Sequence, residues 1–296
     1  MSERVVLLGV PTALGGHLGG MEATPAGLRA LGLVERLPWP IDDAGDVPID
    51  PGFREDPDAR AKNRDLIAAF LPKERDLVAN ALRAPDGARL LVLGGDCTAH
   101  AGALAGLATA HPGRRHAIAW FDAHGDYNTP DTTPSGNVWG MPFAMLCGRG
   151  APDLVRACEG PTVDPRHAAL LGGQVLDETE SRMLAADGVA QFGSGMLATR
   201  AGQAALAAWA RAIAGEVDGL YVAIDFDVLD AGGDWAVQMP EAAGLSLETA
   251  VTAVQALASA GAPVVGFGAT GINLQGGGDA EKTLDAVVRL ASVALG

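Results

Sequence analysis

Asp122, His124 and Asp126 stand at alternate positions directly after the apolar run Ile118 to Phe121. If the backbone stays extended past Phe121, alternate side chains share one side, so two carboxylates and an imidazole converge on one point. Carboxylates held side by side repel, and a cation is the group that relieves them. A strand end with merely solvated polar groups is the plainer alternative. A second stretch repeats the pattern: Tyr221 to Ile224 is apolar, and Asp225 and Asp227 follow two residues apart. Four carboxylates and one imidazole at two strand ends suit a divalent ion such as manganese, or two ions sharing bridging oxygens. Zinc, which prefers more nitrogen or sulfur, is disfavoured.

Such residues need rigid elements to aim them. Val5 to Val10, Arg89 to Leu93 and Val264 to Ala269 are further apolar runs of the kind buried parallel strands require, and Ala168 to Leu171 and Val189 to Phe192 are shorter candidates. Helical patterns separate them. Thr24 and Pro25 read as the cap and first position of a helix carried by Ala26 to Leu37. Ala59 to Arg83 has helical spacing interrupted near Pro72. Ala99 to Ala110, Glu178 to Ala186, Gly202 to Ala214, Leu247 to Ala260 (capped by Ser246) and Ala280 to Leu295 follow. Pro38 to Pro57 is rich in Pro and Asp, has no periodicity, and reads as a connecting excursion. Strand and helix alternate without a dividing linker. The expected fold is a single α/β domain over 1–296, a mainly parallel central sheet between two helical layers.

With 48% hydrophobic residues and a mean hydropathy of +0.18, a large core is expected, while the apolar runs are too short to cross a bilayer. The chain is read as soluble and cytoplasmic: Met1 to Arg4 leads straight into a strand, and Cys97, Cys147 and Cys158 show no CxxC spacing. A net charge of −15 disfavours nucleic acid and anionic membranes as partners, leaving a small-molecule substrate.

Four motifs carry a resemblance: Gly94 to Thr98 (GGDCT), Trp120 to Asn128 (WFDAHGDYN), Ser135 to Pro142 (SGNVWGMP) and Ala223 to Asp227 (AIDFD). In order and spacing they resemble the ureohydrolases, the arginase and agmatinase family, and the similarity runs from Leu8 to Phe267. The resemblance implies an α/β/α domain assembled as a trimer or hexamer, a two-manganese centre, and hydrolysis of a guanidino group to urea and an amine by a metal-activated hydroxide. It implies Asp122 and Asp225 as bridging ligands, Cys97 and Asp126 completing one sphere, and His124 and Asp227 the other. Asp126 would also stabilise the tetrahedral intermediate and pass a proton to the leaving amine. Asn128, Ser135, Asn137 and Trp139 fall in the substrate-binding loop, and His17 in a glycine-rich loop is a further lining candidate.

Three positions depart from the family: Cys97, Trp139 and Gly271 stand where it usually has His, His and Glu. A thiolate suits manganese less than zinc, iron or nickel, so one ion is expected to be weak, exchanged or absent. Trp139 cannot shuttle protons. Gly271 removes a carboxylate that would pair with a guanidinium. The expected activity is therefore metal-dependent hydrolysis of a C–N bond in a modified guanidine or amidine rather than arginine. Two rivals remain: a catalytically degenerate subunit beside an active paralogue, and thiol catalysis with Cys97 as nucleophile and His100 one turn along.

Overall fold

The computed structural model describes residues 4–49, 59–83 and 87–296. Its strands are β1 (Val5–Val10), β2 (Ile41–Asp46), β3 (Arg89–Gly94), β4 (His116–Asp122), β5 (Val163–Gly172), β6 (Ala190–Gly193), β7 (Gly219–Asp225) and β8 (Val264–Thr270). They form one sheet in the order β2-β1-β3-β8-β7-β4-β5-β6, and every neighbouring pair runs parallel. Parallel strands buried on both faces need apolar residues at every position, and β1, β4 and β7 are buried end to end.

Side-chain parity divides the core. Val5, Leu7, Leu91, Phe121, Val222 and Ile224 join one apolar cluster, while Val6, Leu8, Leu90, Trp120, Tyr221 and Ala223 join the other. Helices Arg200–Ile213, Leu247–Ala258 and Ala280–Leu295 cover the first face; Arg64–Leu82, Thr98–Ala110 and Pro142–Leu146 cover the second. This is the three-layer α/β/α architecture expected from the sequence. No helix among the described residues is long and apolar enough to cross a membrane. Cys97, Cys147 and Cys158 are buried and unpaired.

Four local expectations need correction. Within the stretch read as an irregular excursion, Ile41–Asp46 is the edge strand β2; residues 50–57 of that stretch lie outside the described residues. Its sequence, IDDAGD, is almost wholly exposed and carries no apolar alternation, because what holds it is main-chain pairing with β1. Arg29 clamps it from outside, donating to Asp43 Oδ2 at 2.8 Å and Asp46 Oδ1 at 2.6 Å. The helix expected over Ala26 to Leu37 is two, Thr24–Ala30 and Leu33–Arg36, broken at Gly32 with φ 89°. Thr24 is not its cap: it lies inside the helix and donates to the Ile272 carbonyl at 2.5 Å. Helix Arg64–Leu82 passes through Pro72 without interruption, held by Phe70, Leu71 and Val78 packed in the second core cluster.

Candidate metal centre

The carboxyl ends of β3, β8, β7 and β4 lie side by side in the middle of the sheet, where open α/β sheets place their sites. There the six candidate ligands and the substrate candidates Asn128, Ser135, Asn137 and Trp139 line one cavity of about 390 Å³, together with His17 and Gly271.

The convergence is achieved by turns, not by the extended backbone expected from the spacing. β4 stops at Asp122. Asp122 Oδ1 accepts from the His124 amide at 2.7 Å, which folds the chain back, and Asp126 adopts a left-handed φ of 49°. After β7, Asp225 Oδ1 accepts from the Asp227 amide at 2.9 Å and opens the short 3-10 turn Phe226–Val228. Asp227 Oδ1 in turn accepts from the Ala123 amide at 3.0 Å, tying the two loops together. Asp122 is fixed further by Trp120, whose Nε1 donates to Oδ2 at 2.9 Å.

Two triads of potential ligands result, Cys97 with Asp122 and Asp225, and Asp122 with His124 and Asp227, each with its ligand atoms within 4.8 Å of one another. Asp122 belongs to both. His124 Nδ1 lies 3.1 Å from Asp227 Oδ2 and 3.4 Å from Asp122 Oδ1. Asp126 is in neither triad, yet its Oδ2 is buried with no hydrogen-bond partner. An orphaned carboxylate oxygen beside two clusters of acids is costly without a cation. The residues present therefore fit a pair of divalent ions.

The electrostatics of the protein's own groups agree. Burial, then the charge of Asp122, pushes Asp126 well above the usual carboxylate range, and burial with Asp225 and Asp122 does the same to Asp227. Asp225 is pushed up to about 6, chiefly by burial and by Asp122. Burial disfavours a charged imidazole at His124, but hydrogen bonds to Asp122 and Asp227 and their charges hold its pKa at about 12. Protons thus stand in for cations, and cation uptake must expel them. Manganese affinity is expected to rise with pH, by about tenfold per pH unit for each net proton displaced. Titration calorimetry in buffers of different ionisation enthalpy measures the proton release; a pH-independent affinity between pH 6 and 8 would contradict the site.

Asn128 donates from Nδ2 to Asp177 Oδ2 at 2.9 Å, and Asn137 Nδ2 meets His17 Nδ1 at 3.2 Å. The Trp139 amide donates to Gly15 O at 2.8 Å, and its ring stands 5.7 Å from that of His17, forming an aromatic wall. Ser135 is exposed at the rim.

Sequence reasoning missed Asp177 and Glu180, which also line the cavity. Asp177 caps helix Glu178–Asp187 by accepting from the Glu180 amide, a pattern that accounts for both acids locally and hides a second use. Glu180 turns away from its own helix: Oε1 accepts from the Tyr127 amide at 2.8 Å, and burial, opposed by that bond, lifts its pKa to about 7. Glu241, also missed, places Oε1 3.7 Å from His124 Nε2, on the far side of the ring from the triad, where a metal-binding imidazole often finds a carboxylate. No local pattern signals it.

The family model described as "Arginase family" matches residues 3–296. The chain is 34% identical over 263 residues to an arginase of Bacillus caldovelox, covering 86% of each chain, and 30% identical over 266 residues to one of Bacillus subtilis, covering 88% of each. Its fold matches the crystal structure of the Bacillus caldovelox arginase with a TM-score of 0.89 at 31% identity, over 99% of this chain and 98% of that one.

Proposed function

The chain belongs to the arginase family of hydrolases, and from that premise we propose that it hydrolyses a C–N bond in a guanidine- or amidine-type small molecule, a modified guanidine rather than arginine. The observation that carries the reading is the pair of ligand triads sharing Asp122, with the orphaned Asp126 Oδ2 between cavity and core. Cys97, Asp122, His124, Asp126, Asp225 and Asp227 would hold two cations, manganese first, with nickel, zinc or iron as alternatives for the position next to Cys97. When bound, such a pair lowers the pKa of water and supplies hydroxide near neutrality.

The protein's own groups do the rest. Asp126, buried and unpartnered at Oδ2, is suited to take a proton from the attacking water and hand it to the leaving amine. Among the described residues, the groups that the segments after β8 and β7 bring to the cavity besides the ligand Asp227 are Gly271, Gln238 and Met239, and Gln238 Oε1 is already held by Asn273 Nδ2 at 2.6 Å. With every nearby carboxylate assigned to cations and none at Gly271 left to pair with the substrate, a scissile group less basic than guanidinium is favoured, such as a hydroxylated or alkylated guanidine. Asp177 and Glu180 at Asn128 favour a polar, cationic tail, and Trp139 with His17 accommodates an apolar middle.

Metal analysis combined with a screen of guanidino compounds for urea release tests the reading. About two cations per chain are expected, with turnover of a modified guanidine exceeding that of arginine. Protein that stays metal-free when incubated with manganese, nickel, zinc and iron would end it. The bare metal end also sustains a second reading, a degenerate homologue serving beside an active paralogue. Retained metal, no urea from any compound and a mixed oligomer on co-expression would favour that one over a self-sufficient trimer or hexamer.

Restoring the family's acid is not expected to restore arginine hydrolysis. Gly271 has φ 72°, and a Cβ there would stand 2.0 Å from Asp225 Oδ1. Gly271→Glu should therefore displace a ligand and lower metal content, with strain of about 1–2 kcal/mol from the left-handed backbone besides. Metal-replete Gly271→Glu with gained arginase activity would show that this loop adapts freely.

A further inference from the structure

Behind Cys97 a line of polar groups runs into the core. Cys97 Sγ lies 3.4 Å from Thr270 Oγ1, Thr270 Oγ1 3.0 Å from His100 Nε2, and His100 Nδ1 3.1 Å from Tyr221 Oη. Thr270, His100 and Tyr221 are fully buried, and none lines the cavity. Thr270 ends β8, Tyr221 lies on the neighbouring β7, and His100 sits in the first turn of helix Thr98–Ala110 above them. Room for the imidazole and phenol comes from Gly268, where a Cβ would stand 2.3 Å from Tyr221 Oη and 2.7 Å from His100 Nδ1. Trp120 closes the other side, its ring 5.0 Å from that of His100 and edge-on to it.

Counting protons fixes the direction of the line. Burial holds the His100 pKa down at about 3, so the ring is neutral and carries one N–H. If that proton is on Nδ1, it goes to Tyr221, and among the described residues no other group accepts the tyrosine's own hydrogen. Thr270 would then spend its hydrogen on Nε2, leaving Cys97 Sγ without a donor. If the proton is on Nε2, Tyr221 donates to Nδ1, Nε2 donates to Thr270, and the threonine hydrogen is free to point at sulfur. Only the second arrangement satisfies every group, which is what buried polar atoms require.

We propose that Tyr221, His100 and Thr270 form a fixed hydrogen-bond relay whose last donor, Thr270 Oγ1, points at the Cys97 sulfur and holds it as a metal-binding thiolate. The inference rests on the reading of Cys97 as a ligand. Three positioning residues thereby compensate for a thiolate where a neutral imidazole is usual: a hydrogen bond drains charge from the sulfur and fixes its direction, as groups outside the ligand shell do for other metal ligands. The competing acceptor for the threonine hydrogen, Ile224 O, is also 3.4 Å away, so the relay acts by where it leaves that hydrogen and not by proximity alone.

Cobalt(II) gives a readout independent of turnover, since a cobalt-bound thiolate absorbs in the near ultraviolet by sulfur-to-metal charge transfer. In Thr270→Val the sulfur becomes more electron-rich, so the band should move to longer wavelength and cobalt affinity should fall about 10–100-fold. Thr270→Ser should restore both. Tyr221→Phe is the stricter test, because it never touches Cys97: losing the donor to Nδ1 frees the imidazole to change tautomer and draw the threonine hydrogen away, moving the band in the same direction. A wild-type protein with cobalt bound but no thiolate band would overturn the ligand reading and the relay together. A band present in the wild type and unmoved in folded Thr270→Val and Tyr221→Phe would overturn the relay alone.

Discussion

Asp122→Ala is expected to empty both cation positions at once and to lower turnover of any guanidino substrate by at least about 1000-fold, roughly 4 kcal/mol of barrier. The reason is that Asp122 is the one residue common to both ligand triads. Its loss also strips acceptors from Trp120 Nε1 and the His124 amide, each costing about 1–3 kcal/mol of stability if left unpaired. Asp122→Asn separates the two effects, since its carbonyl oxygen can still accept from His124. Thermal melts with and without manganese give the decisive comparison. A cation that binds only the folded state raises the midpoint of the wild type, and the increment should vanish in both variants. If Asp122→Ala keeps its full metal content, the carboxylates at the ends of β4 and β7 are not a shared centre. If the variant loses metal and stability while neither protein releases urea, a metal retained for structure alone becomes the better account.

How much of this was written in the chain depends on what each feature asks of its residues. Strands β1, β3, β4, β7 and β8 were legible because burial on both faces forces unbroken apolar runs, and the ends of β4 and β7 were legible because those two runs stop at acids. Edge strand β2 asks chiefly for main-chain pairing, so beyond Ile41 the stretch to Asp46 faces solvent and carries three acids with no apolar alternation. The ligand set was legible in residue type, but the mechanism inferred for its convergence was not the one the chain uses. Alternation along an extended strand would have served; instead Asp122 and Asp225 each fold the following residues back by accepting an amide two positions on. Such a turn has the same spacing in sequence as an extended strand. Asp177 was hidden by its role as a cap. The relay behind Cys97 was hidden more deeply, because His100, Tyr221 and Thr270 come from three elements and meet only through the sheet order β8-β7. Gly271, read as a missing side chain, is also a position where a side chain would strike Asp225.

Cys97→His is the substitution that most sharply separates what this centre can be. The structure already weighs against thiol catalysis: burial and the charges of Asp225, Asp126 and Asp122 push the Cys97 thiol well above its ordinary range, the reverse of an activated nucleophile. His100, the base that reading assigned to it, is engaged with Thr270 and Tyr221 instead. As a ligand, by contrast, Cys97 is well set, with Sγ 2.7 Å from Asp225 Oδ2 and in one triad with Asp122. To bind a cation it must first lose a proton, and as a soft thiolate it then suits manganese less well than an imidazole does. Cys97→His should therefore bind manganese at least about 10-fold more tightly. The charge of the centre rises by one, and the Thr270 hydroxyl must turn to Ile224 O or to the new ring. Manganese content after dialysis, followed from pH 6 to 8, is the measurement. Turnover abolished whatever metal is supplied, with manganese still bound, would instead restore the nucleophile. Metal content and activity both unchanged would leave Cys97 a packing residue beside a centre completed by Asp122, Asp126, His124, Asp225 and Asp227 alone.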